Sequence, residues 1–463
     1  MSIAMNLRHS AWIVVLLLVG SETPLQAIKP CRIEIIDKSN GWPVPLVELT
    51  TTHGARFVSD NAGAIAFDLP ELMGTETWFH VRGHGYSVPP DVFGYRGVRL
   101  RPQPGATLTV EVQRQLPAKR LGRITGGGLF AECHKLGTEL DWRDQGILGC
   151  DSVQTALHDG RLHWGWGDTT LPQHPLGRFH TIGATTQPQP LQTFEPPIRL
   201  RYDYVVDETQ TPRNIAVMPG DGPTWLGGYV SLPNREGQPQ LVATYSKIVP
   251  PLAVYEIGFC TWNETSANFE PTKVLWRRSD ATPDPPMVPH GHSTRWTDPA
   301  GRDWVLFGDP FPTLKIPATY EALLDRSQRQ SLTPQTTVAT RAGESEKQVR
   351  PHRGSIAWNE YRKKWVAIFT QHGGQTSLLG EIWYAEADAP TGPWTDAVHV
   401  VTHDDYTFYN PKLHPEFTAP GSAMLLFEAT YTKTFSGTKQ GTPRHNYNQI
   451  LYRLDLQDIA ATE

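Results

Sequence analysis

The strongest constraint in the chain is a phrase that occurs five times: a turn, then a short apolar and aromatic run that closes on polar residues. The repeated strands start at 162, 241, 304, 365 and 425, in the runs L-H-W-G-W-G-D-T, L-V-A-T-Y-S, W-V-L-F-G-D-P, W-V-A-I-F-T-Q and M-L-L-F-E-A-T. Their spacing is 79, 63, 61 and 60 residues. Self-similarity at a near-fixed period marks a fold made by repeating one supersecondary unit. A four-stranded propeller blade takes ~40–50 residues, and loop insertions account for the excess. A sandwich does not readily give such even spacing, so the repeats predict an all-β chain ending in a five-bladed β-propeller.

Composition agrees. Forty Gly and forty Pro among 463 residues favour many turns and few long helices. Fifteen Trp suit a sugar-binding protein, although Trp also fills β cores. A net charge of −5 leaves no basic footprint, which argues against nucleic acid as a partner. At the start, Arg8 precedes the apolar run Ala11 to Val19, and Leu25-Gln26-Ala27 ends on a small residue. That order is a signal peptide over 1–27. The run falls short of the ~20 residues a bilayer needs, and no later stretch reads as a membrane span. A secreted or periplasmic protein is expected. Export permits disulfides, and Cys133 with Cys150 is the favoured pair of the four cysteines. With no C-x-x-C spacing, a thiolate zinc site has no support.

Residues 30–114 read as short alternating strands. Arg32-Ile33-Glu34-Ile35-Ile36 alternates before the Asn40-Gly41 turn, and Ser59-Asp60-Asn61-Ala62-Gly63 turns into Ala64-Ile65-Ala66-Phe67. These phrases, with V-R-G-H-G-Y, resemble the carboxypeptidase regulatory-like modules. The resemblance implies a transthyretin-like β-sandwich acting as a spacer or binding module. Residues 115–128, basic and then Gly-rich, are expected to be a linker, and 129–458 the propeller.

The residues just before each repeated strand belong to the innermost strand of a blade, which lines the central channel where ligands bind. These openings contain Asp151, Asp221 with Trp225 and Tyr229, His292, His352 with Arg353, and Tyr409-Asn410 with His414. The phrase G-C-D-S-V-Q-T-A-L-H-D-G-R-L-H-W-G-W-G-D-T (149–169) resembles the opening blade of a propeller family associated with endo-acting D-arabinanases. F-Y-N-P-K-L-H-P-E-F (408–417) is similar to its closing blade, and W-Y-A-E-A-x-A-P-T-G-P-W (383–394) to an outer hairpin of glycosidase propellers. The wider pattern resembles the glycoside hydrolase family 43 propellers. The resemblance implies hydrolysis of a polysaccharide or oligosaccharide, an arabinan or related furanose glycan.

Glycoside hydrolysis needs an acid for the leaving oxygen and a carboxylate that activates water or attacks carbon. Asp151 is the candidate base. Asp221 and Glu381 are the first candidates for the acid, with Glu256 and Glu428 behind them. Asp168 and Asp309 follow Gly at strand ends, where turn capping is the ordinary role; Asp168 also falls in the matching G-D-T phrase. His292, His352 and His414 occupy equivalent positions and could contact sugar, support structure or ligate a channel metal ion. Arg353 suits a carboxylate or sulfate. Trp225 and Tyr229 are the better placed of the aromatic residues for stacking on sugar. No cofactor is required by this reading. Two alternatives stay open: a polysaccharide lyase using His292, His352, Arg353 and Tyr409 on a uronate, and a glycan-binding protein without catalysis.

Overall fold

The computed structural model describes residues 28–459, apart from 127, 143, 179 and 376. The expected signal peptide lies outside the described residues. The chain is nearly all β. No helix among the described residues is long and apolar enough to cross a membrane.

The first eight strands are β1 Cys31–Asp37, β2 Glu48–Thr51, β3 Arg56–Val58, β4 Ala64–Phe67, β5 Thr77–Arg82, β6 Tyr86–Ser87, β7 Gly97–Leu100 and β8 Thr107–Arg114. They form two four-stranded sheets, ordered β4-β1-β8-β6 and β3-β2-β5-β7. Alternation drives this packing. In β1, Cys31, Ile33, Ile35 and Asp37 are buried while the residues between them are half-buried. Inward residues of both sheets, including Ile33, Leu49, Phe67, Phe79 and Val110, share one apolar core.

Residues beyond Gly149, joined by one earlier strand, make up five antiparallel four-stranded sheets. Their first strands are Gln154–His158, Thr224–Pro233, His292–Thr297, Pro351–Asn359 and Thr407–Leu413. From sheet one to sheet five, each first strand touches the first strand of the sheet that follows it in the chain. The five repeated runs of the sequence are the second strands: Arg161–Trp166, Pro239–Val249, Asp303–Gly308, Lys364–Gln371 and Met424–Thr432. Burial on both faces explains why those runs are apolar almost throughout. A separate apolar cluster fills each gap between neighbouring sheets. Tyr229, Leu241 and Ala156 join sheets one and two, and Val242, Phe259, Val305 and Phe307 join two and three. Phe311, Ile356 and Trp365 join three and four; Ile368, Tyr384, Phe408 and Phe427 join four and five. Trp164, Trp166, Leu426 and Leu451 join five back to one, which closes the ring.

The closing sheet corrects a sequence expectation. Within 115–128, read as a linker, Lys119–Arg123 is a strand (β9) and forms the outer edge of the fifth sheet, pairing with Asn448–Asp455. Five residues with three basic side chains and a glycine, four of them buried in succession, carry no alternation that would set the strand apart from a basic connector. The same strand fastens the N-terminal sheets to the ring. Asn61, in the Ser59–Gly63 turn, donates from Nδ2 to the Arg123 carbonyl at 2.8 Å and accepts the Arg123 N–H at 3.0 Å. Gly122 makes that approach possible: its φ is +135°, and a Cβ there would lie 2.3 Å from Asn61 Oδ1. The expected Cys133–Cys150 disulfide is also corrected. All four cysteines are free and buried, with Cys133 inside the helix Ala131–Lys135 and Cys150 in the core between sheets five and one.

Candidate active site

Irregular backbone, not regular strand, presents the polar groups of the ring. Just before sheet one the chain breaks between Gly149–Cys150, which pairs with Thr169–Leu171 in a small sheet of its own, and Gln154–His158, with Ser152 at φ +50°. The first strands of sheets two, four and five carry register shifts at Gly227/Val230, Pro351/Gly354 and Tyr409/Lys412. Bulges of this kind re-aim side chains and concentrate near active sites.

Sheets one, two and five bring one group together. Asp151 Oδ2 accepts the Tyr409 hydroxyl at 2.6 Å, and Asn410 Nδ2 reaches Ser152 Oγ at 2.5 Å. Asp168, just past the end of the second strand of sheet one, accepts the Trp225 indole N–H at 3.2 Å. Gly167 leaves space for the first carboxylate, since a Cβ there would meet Asp151 Oδ1 at 2.3 Å. The Tyr447 hydroxyl lies beside Asp151 and Tyr409. The exposed Phe435 ring packs edge-on against Tyr409 at 5.6 Å.

The two carboxylates are perturbed together. Burial pushes the Asp151 carboxyl up, while the hydroxyls of Tyr409 and Tyr447 pull it back by favouring the ion. Asp168 is pushed up to about 6, first by burial and then by the charge of Asp151, against the Trp225 hydrogen bond. Both tyrosines are raised by burial and by Asp151, so they act as proton donors in hydrogen bonds. Paired carboxyls with different surroundings can divide into a proton holder and an ion at one pH.

Other sequence candidates lie elsewhere. Asp221 is exposed in a Gly-flanked turn, where its carbonyl accepts the Tyr255 hydroxyl at 2.8 Å. Glu381 is buried at the start of a third strand and accepts the Gln375 N–H at 3.0 Å, fixing its own loop. Tyr229 was expected to face sugar. It is 1% exposed and packs on Phe269 between sheets one and two, because the bulge shifts the face it occupies. Arg353 Nη1 pairs with Asp309 Oδ2 at 3.1 Å, and Gly354 N–H donates to Oδ1 at 2.8 Å. Beside them His352 is held down to about 4 by burial and then by Arg353 and His372. His292 is buried and kept neutral by burial, Lys412 and Arg353.

His414 is fully buried against Glu428, with Nε2 to Oε1 at 2.7 Å, and cannot touch a ligand at the mouth. His292 lies within electrostatic reach of His414, whereas His352 sits beside His372. No group of three or more His, Cys, Asp or Glu among the described residues is arranged to hold a metal ion.

Glu428 supports a prediction. Burial, the first cause, pushes its carboxyl up from 4.5 to about 8. The folded state therefore keeps a proton that the unfolded chain releases near pH 4.5. The stability contributed is complete below that pH and is lost as pH rises toward about 8. Glu428→Gln keeps a donor for His414 and cannot ionise. Its melting temperature should fall less than the parent's between pH 4.5 and pH 8, the parent losing up to ~1.4 kcal/mol per pH unit. Parallel curves for the two proteins would refute this assignment.

Asp151, Asp168, Trp225, Tyr409 and Asn410 were visible in the repeat openings and in the G-D-T phrase. Tyr447 and Phe435 were missed because they come from the loop between Met424–Thr432 and Asn448–Asp455, outside the repeated runs.

No family model matches the chain, and no curated protein matches it. Among solved structures it is similar to a putative hydrolase from Bacteroides ovatus ATCC 8483, at TM-score 0.38 and 13% identity over 67% of this chain and 86% of that one. It is also similar to an exo-1,5-alpha-L-arabinanase from a bovine ruminal metagenomic library, at TM-score 0.37 and 12% identity over 67% and 94%. A GH43_1 enzyme from Xanthomonas citri aligns at TM-score 0.35 and 9% identity over 66% and 87%.

Proposed function

We propose that the ring is a five-bladed β-propeller, that residues 30–114 are a carboxypeptidase regulatory-like sandwich, and that the protein is an exported glycoside hydrolase. Its substrate is a polysaccharide, an arabinan or related furanose glycan. The observation that carries this reading is the coupled pair Asp151 and Asp168, on which sheets one, two and five converge. Asp151, held by the Tyr409 hydroxyl, acts as the base or nucleophile. Asp168, proton-bearing to about pH 6, protonates the leaving oxygen. Trp225 fixes the Asp168 carboxyl through its indole N–H. The tyrosines cannot serve as bases at their raised values, which speaks against elimination.

Arabinans and uronate-containing glycans discriminate the readings. Hydrolysis gives new reducing ends without the absorbance of a 4,5-double bond; unsaturated products would favour a lyase; binding alone would favour a lectin-like protein. A second expectation concerns pH. The acid must hold its proton, so kcat/KM should fall as pH rises through about 6. Asp168→Asn should lose that alkaline limb and slow natural glycans far more than aryl glycosides with good leaving groups. An alkaline limb unchanged in Asp168→Asn would remove Asp168 from the role.

A further inference from the structure

The N-terminal sheets carry a row of exposed rings that the proposed chemistry does not use. Trp78, His80 and Arg82 alternate on the outward face of β5. The Trp78 and His80 rings are 6.0 Å apart, and His80 is 6.0 Å from Tyr95. The Arg99 guanidinium lies 5.3 Å from the Trp78 ring centre. Beyond Tyr95, which is 58% exposed, the turn presents Phe93 at 82% and Val92 at 94%. The turn is built, not loose: Asp91 Oδ1 accepts the N–H groups of Phe93 and Tyr95, each at 2.9 Å. Exposed apolar groups held in this way mark an interaction surface.

We propose that this row is an accessory binding surface for an extended, neutral polysaccharide strand; it rests on the glycan reading given above. Two observations select that occupant. Rings recur at short intervals with donors between them, the imidazole of His80 and the guanidinium of Arg99. C–H faces of successive sugars meet such rings while hydroxyls meet the donors. The row also leads to the catalytic mouth. Arg82, next on the same face, pairs with Asp405 at 2.5 Å. The chain from Asp405 enters the strand whose Tyr409 holds Asp151, no more than about 14 Å of backbone away. A polymer seated in the mouth can therefore continue onto β5, while a short oligosaccharide cannot reach it.

The test uses a Phe93→Ala/Tyr95→Ala double variant of the mature chain, with linear arabinan and a short arabinan oligosaccharide as probes. Expected results are KM for the polymer raised about fivefold, kcat unchanged, and the oligosaccharide unaffected. Binding is measured separately by retardation in arabinan gels with Asp151→Asn as background, so that affinity is read without turnover. If that background is retarded and the double variant less so, the surface stands even where no hydrolysis is found. If the parent hydrolyses arabinan and the double variant matches it on both probes, the surface falls and the hydrolase reading survives. Absence of retardation in the background protein overturns the surface. So does loss in the double variant of binding to phosphatidylcholine vesicles or of self-association, either of which would identify a different occupant.

Discussion

Asp151→Asn is expected to fold like the parent and to lose about 10²–10⁴-fold in kcat/KM on its glycan. Asparagine is the same size, and its Oδ1 can accept the Tyr409 hydroxyl that now reaches Asp151 at 2.6 Å. What disappears is the charge. Because that charge is the second cause of the elevation at Asp168, the residual activity should also show its alkaline limb moved to lower pH. The two readouts separate roles. A loss of rate without the pH displacement would mean that Asp151 acts without electrostatic contact with Asp168. Full activity would end the assignment.

The second large effect concerns the ring closure. Arg123, in β9, is 1% exposed and binds carbonyls on three separate segments. Nε donates to Thr125 at 3.1 Å, Nη2 to Leu148 at 2.5 Å, and Nη1 to Arg444. Burial pulls its pKa down to about 10, so it stays charged at neutral pH. Arg123→Ala strands those acceptors and opens a void beside Gly126. A cost of about 3–5 kcal/mol is expected, which for a chain of this size lowers the melting temperature by roughly 3–6 °C. Thermal unfolding of the variant measures it, and a change under ~1 kcal/mol would show that water replaces the guanidinium freely. Since Arg123 does not touch the Asp151 group, kcat at low temperature should be unaffected.

The strand repeats were legible because the second strand of each sheet is covered on both faces, which forces unbroken apolar runs at regular intervals. The openings of the first strands followed from position alone, and so Asp151, Trp225 and Tyr409 could be named. Which way each side chain points was less legible. A bulge inserts a residue and reverses the facing of those after it. Tyr229 and His414 illustrate this: both belong to correctly placed openings, and both end inside the packing between sheets. Glu381 and Asp221 show another limit. Sequence places carboxylates at strand ends, but only the loops decide whether such a group turns into the ring, caps its own turn, or faces solvent. Tyr447 and Phe435 sit in a loop outside the repeat, where periodic reasoning has no purchase.

The placement of β9 has a consequence for the order in which the protein can be completed. Its partner, Asn448–Asp455, lies about 325 residues further along the chain and leaves the ribosome that much later. At ~5–20 residues per second, the closing edge waits roughly 15–65 s for the strand it must pair with. Throughout that interval the fifth sheet is missing, and the first sheet has an uncovered face. The preceding N-terminal sheets, folded earlier and gripping Arg123 through Asn61, keep that waiting strand anchored until its partner arrives.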